Sequence, residues 1–380
     1  MNKKRSAFSG KIGYVLSAAG ASVGLGNIWR FPYLAAKYGG GIFLLVYIIL
    51  ALTFGYTMIV AESALGRMTR KSPVGAFRSF AKGKKVGWLS FGGWINAIIP
   101  VLIVPYYSVI GGWVVKYLFE YIRGNGSKLA EDGYFSGFIS NGGATEICFV
   151  IFCMFTLVII YAGVQNGIER VSKIMMPILV VLSVIIAIYS VTRPGAIEGV
   201  KYFLVPNVKN FSWMTVVAAM GQMFYSLSIA MGILVTFGSY MRKDTSIEDS
   251  TRNVEIFDTA IAMMAGLMII PAVFAFSGGD PDTLQAGPSL MFITIPKVFA
   301  NMGFGTAVGI LFFVLVLFAA VTSSIALTES AVSTFEDELG WGRKKATVLT
   351  GVIMIALGTL SCLGYGPLDF VKIIGMQFLD

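Results

Sequence analysis

The sequence predicts an all-α polytopic membrane protein, and three observations lead there. Of 380 residues, 56% are apolar and 13% charged, and the apolar ones gather in runs long enough to cross about 30 Å of hydrocarbon. Two of these runs are interrupted by glycines with polar residues at membrane depth, at Gly20–Pro32 and Gly221–Gly232. Basic residues crowd into alternate connecting segments, the asymmetry that sets orientation in a bilayer.

The runs lie near Ile12–Ala36, Gly41–Leu65, Val86–Tyr121, Glu146–Gly163, Ser172–Val191, Trp213–Tyr240, Thr251–Phe276, Gly303–Thr328 and Ala346–Leu363. The first is too long and too glycine-broken for a cleaved signal peptide, and no small-residue cleavage pattern follows it, so it is expected to stay in the mature protein. With the N-terminus cytoplasmic, the inside segments hold Lys3 to Lys11, Arg67 to Lys85, Arg170 and Lys173, Arg242 to Arg252, and Arg343 to Lys345, most of the 29 basic residues. The net charge of +9 is therefore topological. It implies a lipid bilayer as partner and no nucleic acid.

Within the first run, glycines at 20, 24 and 26 weaken helix continuity, and Pro32 removes a backbone donor. Unwound backbone at membrane depth is tolerated only where it lines a protein-enclosed site. A flexible glycine-rich helix packed on its neighbours is the plainer reading; Asn27 and Arg30 in the same stretch favour a binding site. Such a break offers a helix N-terminus to an anion and free carbonyls to a cation. The second interruption, in the sixth run, sets Ser226 and Ser228 among bulky apolar residues between Gly221 and Gly232. Taken alone it also reads as a helix whose serines bond their own backbone. Matching breaks in two halves of a chain point to a transporter built from inverted repeats with its site at the midplane.

A charge at a helix centre costs about 2.5–3.5 kcal/mol on insertion scales, so each buried acid requires a reason. Glu62, in the second run, reads as an acceptor for backbone amides freed by a break rather than as a ligand. Asp258, on the hairpin of the sixth and seventh runs beside the second break, reads as a ligand. Glu329 closes the eighth run. Cys148 and Cys153 share one run and Cys362 lies far along the chain, which makes neither a disulfide framework nor metal spacing; they read as small buried hydrophobes. Histidine is absent, so a histidine proton relay, histidine metal ligation and a serine–histidine triad are excluded. Gly24-Leu25-Gly26 lacks the strand and spacing of a dinucleotide fingerprint. The chain reads as no enzyme.

The stretches Gly20–Pro32, Ala61–Arg67, Tyr106-Tyr107, Gly221–Tyr240 with Arg242-Lys243-Asp244, Ala286–Pro296, and Ala319–Ala326 with Phe335–Leu339 resemble the neurotransmitter:sodium symporter family, most nearly its bacterial amino-acid branch. The resemblance implies a LeuT-type fold of five-plus-five inverted repeats with helices 1 and 6 broken. One transmembrane domain would span 1–380, with a first repeat over 11–191 and a second over 213–380. It further implies two Na+ sites. The first would use the Ser22 carbonyl, Asn27, Ser226, Asp258 and the substrate carboxylate; the second the carbonyls of Gly20, Val23 and Ala319 with the hydroxyls of Thr322 and Ser323. The substrate carboxylate would meet the amides of Leu25 and Gly26 and the Tyr107 hydroxyl. Its side chain would lie among Ile103, Tyr225, Ser228, Met231 and Leu327.

The family's monoamine carriers have an aspartate where Gly24 stands, so Gly24 implies an intact amino acid, here a hydrophobic or aromatic one. Animal members bind chloride, whereas here Asp258 replaces the usual asparagine and Ala262 offers no ligand, which implies no chloride. Arg5, Phe8, Ser239, Tyr240 and Asp337 match the cytoplasmic gate, and Arg30 the outer-gate arginine. The acid partner of Arg30 falls in this family shortly after a pair resembling Leu379-Asp380, so the second repeat is expected to be incomplete; Asp369 is the acid left to substitute, a reading the sequence does not favour. Gly167 and Pro177 match a spacing at which bacterial members unwind locally; a glycine start and a proline kink explain it as well. Asp280–Ala300 resembles the extracellular lid and otherwise reads as a surface loop with a short helix. Two classes of function stand: a sodium-coupled amino-acid symporter of the cell membrane, and a truncated or non-transporting amino-acid-binding membrane protein with the same pocket. The sequence has no signal for an oligomeric state.

Overall fold

The computed structural model describes residues 6–81, 88–278, 287–373 and 376–377. In chain order the helices are α1 (Lys11–Ser22), α2 (Phe31–Lys37), α3 (Gly41–Leu50), α4 (Tyr56–Thr69), α5 (Pro73–Ala81), α6 (Leu89–Ile122), α7 (Gly126–Leu129), α8 (Tyr134–Ser140) and α9 (Gly142–Ala162). They continue as α10 (Arg170–Val191), α11 (Ala196–Leu204), α12 (Trp213–Ser226), α13 (Ile233–Tyr240), α14 (Ile247–Ser277), α15 (Ile295–Ala300), α16 (Gly305–Glu338) and α17 (Arg343–Gly364). A two-residue pairing of Lys372–Ile373 with Met376–Gln377, which no periodicity announces, follows α17. Among the described residues seven helical spans are long and apolar enough to cross a membrane. The first and sixth runs are the two that do not qualify, because each is divided into two short helices.

The divided helices stand at the centre. α1 packs between α14 and α16, α12 packs on α3, and α13 on α4. The long α16 closes the inside, and from Ala319 to Thr334 it is buried without interruption. Large apolar side chains such as Ile49, Leu52, Ile151, Val158 and Ile188 stand 52–63% exposed, a surface suited to lipid and not to water.

Packing of α4 on α13 depends on glycine. A Cβ at Gly66 would stand 1.9 Å from the Val235 carbonyl oxygen, and one at Gly238 2.4 Å from that of Ser63, so the two backbones touch. Gly66→Val is expected to abolish monodisperse protein on size exclusion, because backbone cannot yield to it as a flexible side chain can. Gly137→Ala, whose Cβ would meet nothing within 4 Å, is the control that leaves the profile unchanged.

Both breaks differ in detail from the sequence expectation. Gly20 stays within α1, and the chain leaves the helix at Val23, which is extended at φ −75°, ψ 95°. Pro32 opens α2 instead of breaking a helix, since the first turn needs no donor there. Gly221 is helical within α12. The left-handed residues are Ser228 (φ 55°), Ala230 (φ 62°) and Gly232 (φ 68°); for the first two this costs of order 1–3 kcal/mol each and persists only where the surroundings hold it.

Between α9 and α10 the chain turns at Gly163 (φ 97°) into a π-helical turn, Val164–Glu169, while Pro177 sits within continuous α10. Residues 280–286 of the expected lid lie outside the described residues. The rest is no surface loop: Phe292 is buried, its ring stacks on Phe135 with centroids 5.2 Å apart, and its carbonyl accepts the Tyr117 hydroxyl at 2.8 Å. Lys297 anchors the segment to Asp132 at 2.5 Å and, through that bond, holds the Asp132 carboxyl below its ordinary range.

Candidate functional site

The unwound residues of the first break face those of the second. Ser228 donates its hydroxyl to the Ala21 carbonyl at 3.2 Å, and the Ala230 amide donates to Glu62 Oε1 at 2.8 Å. Glu62 thus takes up an amide that the break between α12 and α13 frees, and this bond holds Ala230 in its left-handed conformation.

On one side of the breaks lies Asp258, fully buried on α14. Asn27 Nδ2 donates to its Oδ1 at 2.8 Å, Ser226 to both oxygens at 2.9 and 3.0 Å, and the Tyr47 hydroxyl to Oδ2 at 3.0 Å. Three neutral donors satisfy a carboxylate without a basic side chain, so its charge is not cancelled locally. Asn27 Oδ1 in turn accepts the Gly24 amide at 3.1 Å, tying the carboxylate to the bend. Sequence reasoning missed Tyr47: it sits in an unbroken apolar run, and only the fold brings α3 against α14.

On the other side α16 presents Thr322 and Ser323. The Ser323 hydroxyl stands 3.4 Å from the Gly20 carbonyl oxygen, 3.2 Å from that of Ala21 and 3.4 Å from that of Val23. Thr322 donates to the carbonyls of Phe318 at 2.9 Å and Ala319 at 3.2 Å. One hydroxyl has a single proton, so three carbonyls around Ser323 leave unused lone pairs, a place with an excess of hard oxygen acceptors.

Between the two clusters is a small cavity, about 30 Å³ measured to the centre of a water molecule. Ser22, Leu25, Gly26 and Tyr107 line it, with Tyr225, Ser226, Ser228 and Met231. Ile103, Ser323 and Leu327 complete the expected set, joined by Ala21, Gly24, Asn27 and Ile233. The Leu25 amide donates to the Tyr107 hydroxyl at 3.2 Å. Glycine is required here by contact: a Cβ on Gly26 would stand 2.5 Å from the Tyr225 ring, and one on Gly24 2.5 Å from Ser323 Oγ.

Arg30 lies over the Tyr225 ring, 5.1 Å from its centroid, and donates to Gln222 Oε1 at 3.1 Å and the Gly221 carbonyl at 3.4 Å. These neutral groups stand where sequence reasoning sought an acid. Gln222 also donates to the Gly26 carbonyl at 3.1 Å, linking the two broken helices. Asp369 lies in the turn after α17, its amide on the Gly366 carbonyl; Leu379 and Asp380 lie outside the described residues.

At the other end of the molecule Phe8 is enclosed edge-on by Tyr14, Phe237 and Tyr240, and its amide donates to the Tyr240 carbonyl at 3.0 Å. The Tyr240 hydroxyl donates at 2.6 Å to Glu329, whose carboxylate receives both terminal nitrogens of Arg343 at 3.0 and 2.5 Å. The Ser239 carbonyl accepts Arg70 at 3.2 Å, and Asp337 accepts the Ser72 amide at 2.6 Å. Arg5 lies outside the described residues. In the sequence Arg343 counts as one more inside-facing charge; folding makes it the partner of the buried Glu329.

The family model of the sodium:neurotransmitter symporters matches residues 5–127 and 134–376. An uncharacterized sodium-dependent transporter of Bacillus subtilis, YhdH, is 36% identical over 98% of this chain and 82% of its own length. Another from Haemophilus influenzae is 34% identical over 100% and 84%. The human sodium- and chloride-dependent GABA transporter 2 is 27% identical over 88% and 62%. Among solved structures, MhsT in complex with L-phenylalanine superposes with a TM-score of 0.88 at 39% identity, covering 99% of this chain and 85% of MhsT. With two broken helices meeting at one pocket and these matches running nearly end to end, the chain belongs to the sodium:neurotransmitter symporter family, whose LeuT-type fold it shares and whose members are membrane transporters, not enzymes.

Proposed function

We propose that this protein moves a hydrophobic or aromatic L-amino acid together with two Na+ ions by alternating access, without chloride, in the cell membrane with its N-terminus cytoplasmic. The observation that carries the reading is the convergence of two helix breaks on one pocket flanked by a carboxylate cluster and a carbonyl cluster. The first Na+ is assigned to the Ser22 carbonyl, Asn27, Ser226, Asp258 and the substrate carboxylate. The second is assigned to the carbonyls of Gly20, Val23 and Ala319 with Thr322 and Ser323. The surplus of carbonyl lone pairs around Ser323 supports that second assignment, since a cation uses what one hydroxyl proton cannot. Support for chloride independence comes from Asp258, which already occupies the donors Tyr47, Ser226 and Asn27 that an anion would need, with buried, apolar Ala262 one turn further along α14.

Two charges crossing with a zwitterion are worth about 4.6 kcal/mol at 100 mV, over a thousandfold accumulation before any sodium gradient is added. The helix interior of the site needs no reactive group for this work. The two repeats are assigned to 11–191 and 213–380.

The pocket is smaller than a large side chain, so substrate enters as a wall yields. Met231, unbranched and only partly buried, yields at least cost. Leucine, tyrosine or tryptophan should therefore bind better than glycine, alanine or charged amino acids by roughly ten- to a hundredfold, the worth of burying about 1.5–3 kcal/mol of side chain. Binding to purified protein is expected in NaCl and absent in KCl, and weaker in Asn27→Ala and Thr322→Ala. Undiminished binding without sodium refutes the ion assignment. Glycine or glutamate displacing label better than leucine refutes the pocket assignment, and sodium-driven accumulation in proteoliposomes separates transport from binding alone.

A further inference from the structure

Away from the central pocket, a cleft of about 670 Å³ opens between the ends of α4 and α5 and the segment that leads into α14. Leu65, Met68, Phe80 and Ile247 make an apolar floor, with Met68 67% and Phe80 44% exposed. Arg67 and Lys243 stand on its rim. Arg67 gives Nη1 to the Thr245 carbonyl at 2.5 Å, and among the described residues neither its remaining nitrogens nor Lys243 has an acidic partner. Of the nearby acids, Asp244 is held by Arg242 at 2.7 Å, and Glu248 lines an adjoining cleft that shares Arg67, Lys243 and Ile247 with this one, without an ion pair to either cation.

The cleft lies where the apolar span Gly41–Thr69 ends. At that depth the floor meets acyl chains while the two cations reach headgroup level, the arrangement in which long basic side chains keep their stems in hydrocarbon and their charge at the interface. A soluble anion would satisfy the cations and leave the floor uncovered; a neutral lipid would do the reverse. We infer that this cleft holds one anionic glycerophospholipid, its phosphate between Arg67 and Lys243 and an acyl chain along Leu65, Met68 and Phe80. The assignment is independent of substrate and ions, so it survives or fails apart from the transport reading.

Native mass spectrometry of the full chain in detergent, titrated with phosphatidylglycerol, phosphatidylcholine or glycerol 3-phosphate, tests it. One phosphatidylglycerol should be retained over phosphatidylcholine by about tenfold or more, with glycerol 3-phosphate not retained. A surface cation contributes about 1 kcal/mol to binding an anionic lipid, so Lys243→Gln should lower retention about fivefold and Lys243→Glu about thirtyfold. Lys243 is the residue to change because it is exposed and holds no partner that folding needs. Met68→Asp should also lower retention, by disturbing the acyl contact. Equal retention of the two lipids, equal retention of glycerol 3-phosphate, or no change in Lys243→Glu at unaltered melting temperature each overturns the assignment.

Discussion

Asp258→Ala is expected to weaken sodium-dependent amino-acid binding by at least about a hundredfold. The substitution removes a fully buried carboxylate and strands the Asn27 amide, the Ser226 hydroxyl and the Tyr47 hydroxyl that now donate to it at 2.8, 2.9 and 3.0 Å. Each buried donor left unmade costs about 1–3 kcal/mol, and the assigned ion loses its fixed negative charge. Asp258→Asn keeps the volume and an accepting oxygen and removes the charge, so it should impair sodium coupling with less damage to the fold, and chloride, as a replacement negative charge, should restore part of the binding. Tyr47→Phe should cost about fivefold, the worth of one hydrogen bond near 1 kcal/mol. Equilibrium dialysis in sodium gluconate and sodium chloride reads all three. Full binding by Asp258→Ala, or chloride dependence of the unmodified protein, refutes the reading.

Arg343→Met is expected to destabilise the protein by about 3–5 kcal/mol. It would leave the Glu329 carboxylate buried and unpaired, the costly way of breaking a buried ion pair. Glu329→Gln alone is milder, because an amide oxygen still accepts the Tyr240 hydroxyl. The double variant Glu329→Gln/Arg343→Met should recover most of the loss, since no charge is then stranded, and the difference gives the coupling of the pair. Thermal inactivation of ligand binding is the measurement. A double variant no better than Arg343→Met would show that the loss comes from packing of the Arg343 stem against α9, whose Ile160 carbonyl its Nε reaches at 2.8 Å.

Hydrophobic run length and glycine placement show in a sequence because they act locally. They located nine spans, the two that break, and the depth at which Asn27, Ser226 and Asp258 lie. All eight residues that the resemblance assigned to the substrate line one cavity, since the two breaks and the helices packed beside them, α6 and α16, close around one space. Which residue turns the chain is less visible. Gly221 remained helical and Ser228 and Ala230 took the left-handed conformations, because a bond from Ala230 to Glu62, 168 residues away, holds a geometry that local preference disfavours.

The sequence by itself determined that this chain lives in a bilayer and in which two runs its helices break, because burial in hydrocarbon forces each of those features through nearest neighbours along the chain. Only the tertiary structure decided the partners. Tyr47 meets Asp258 across 211 residues, Gln222 joins Gly26 across 196, and Arg343 finds Glu329 through the packing of α17 on α16. Such bonds join elements whose approach is set by the packing of whole helices, and no spacing within one segment encodes the distance between two.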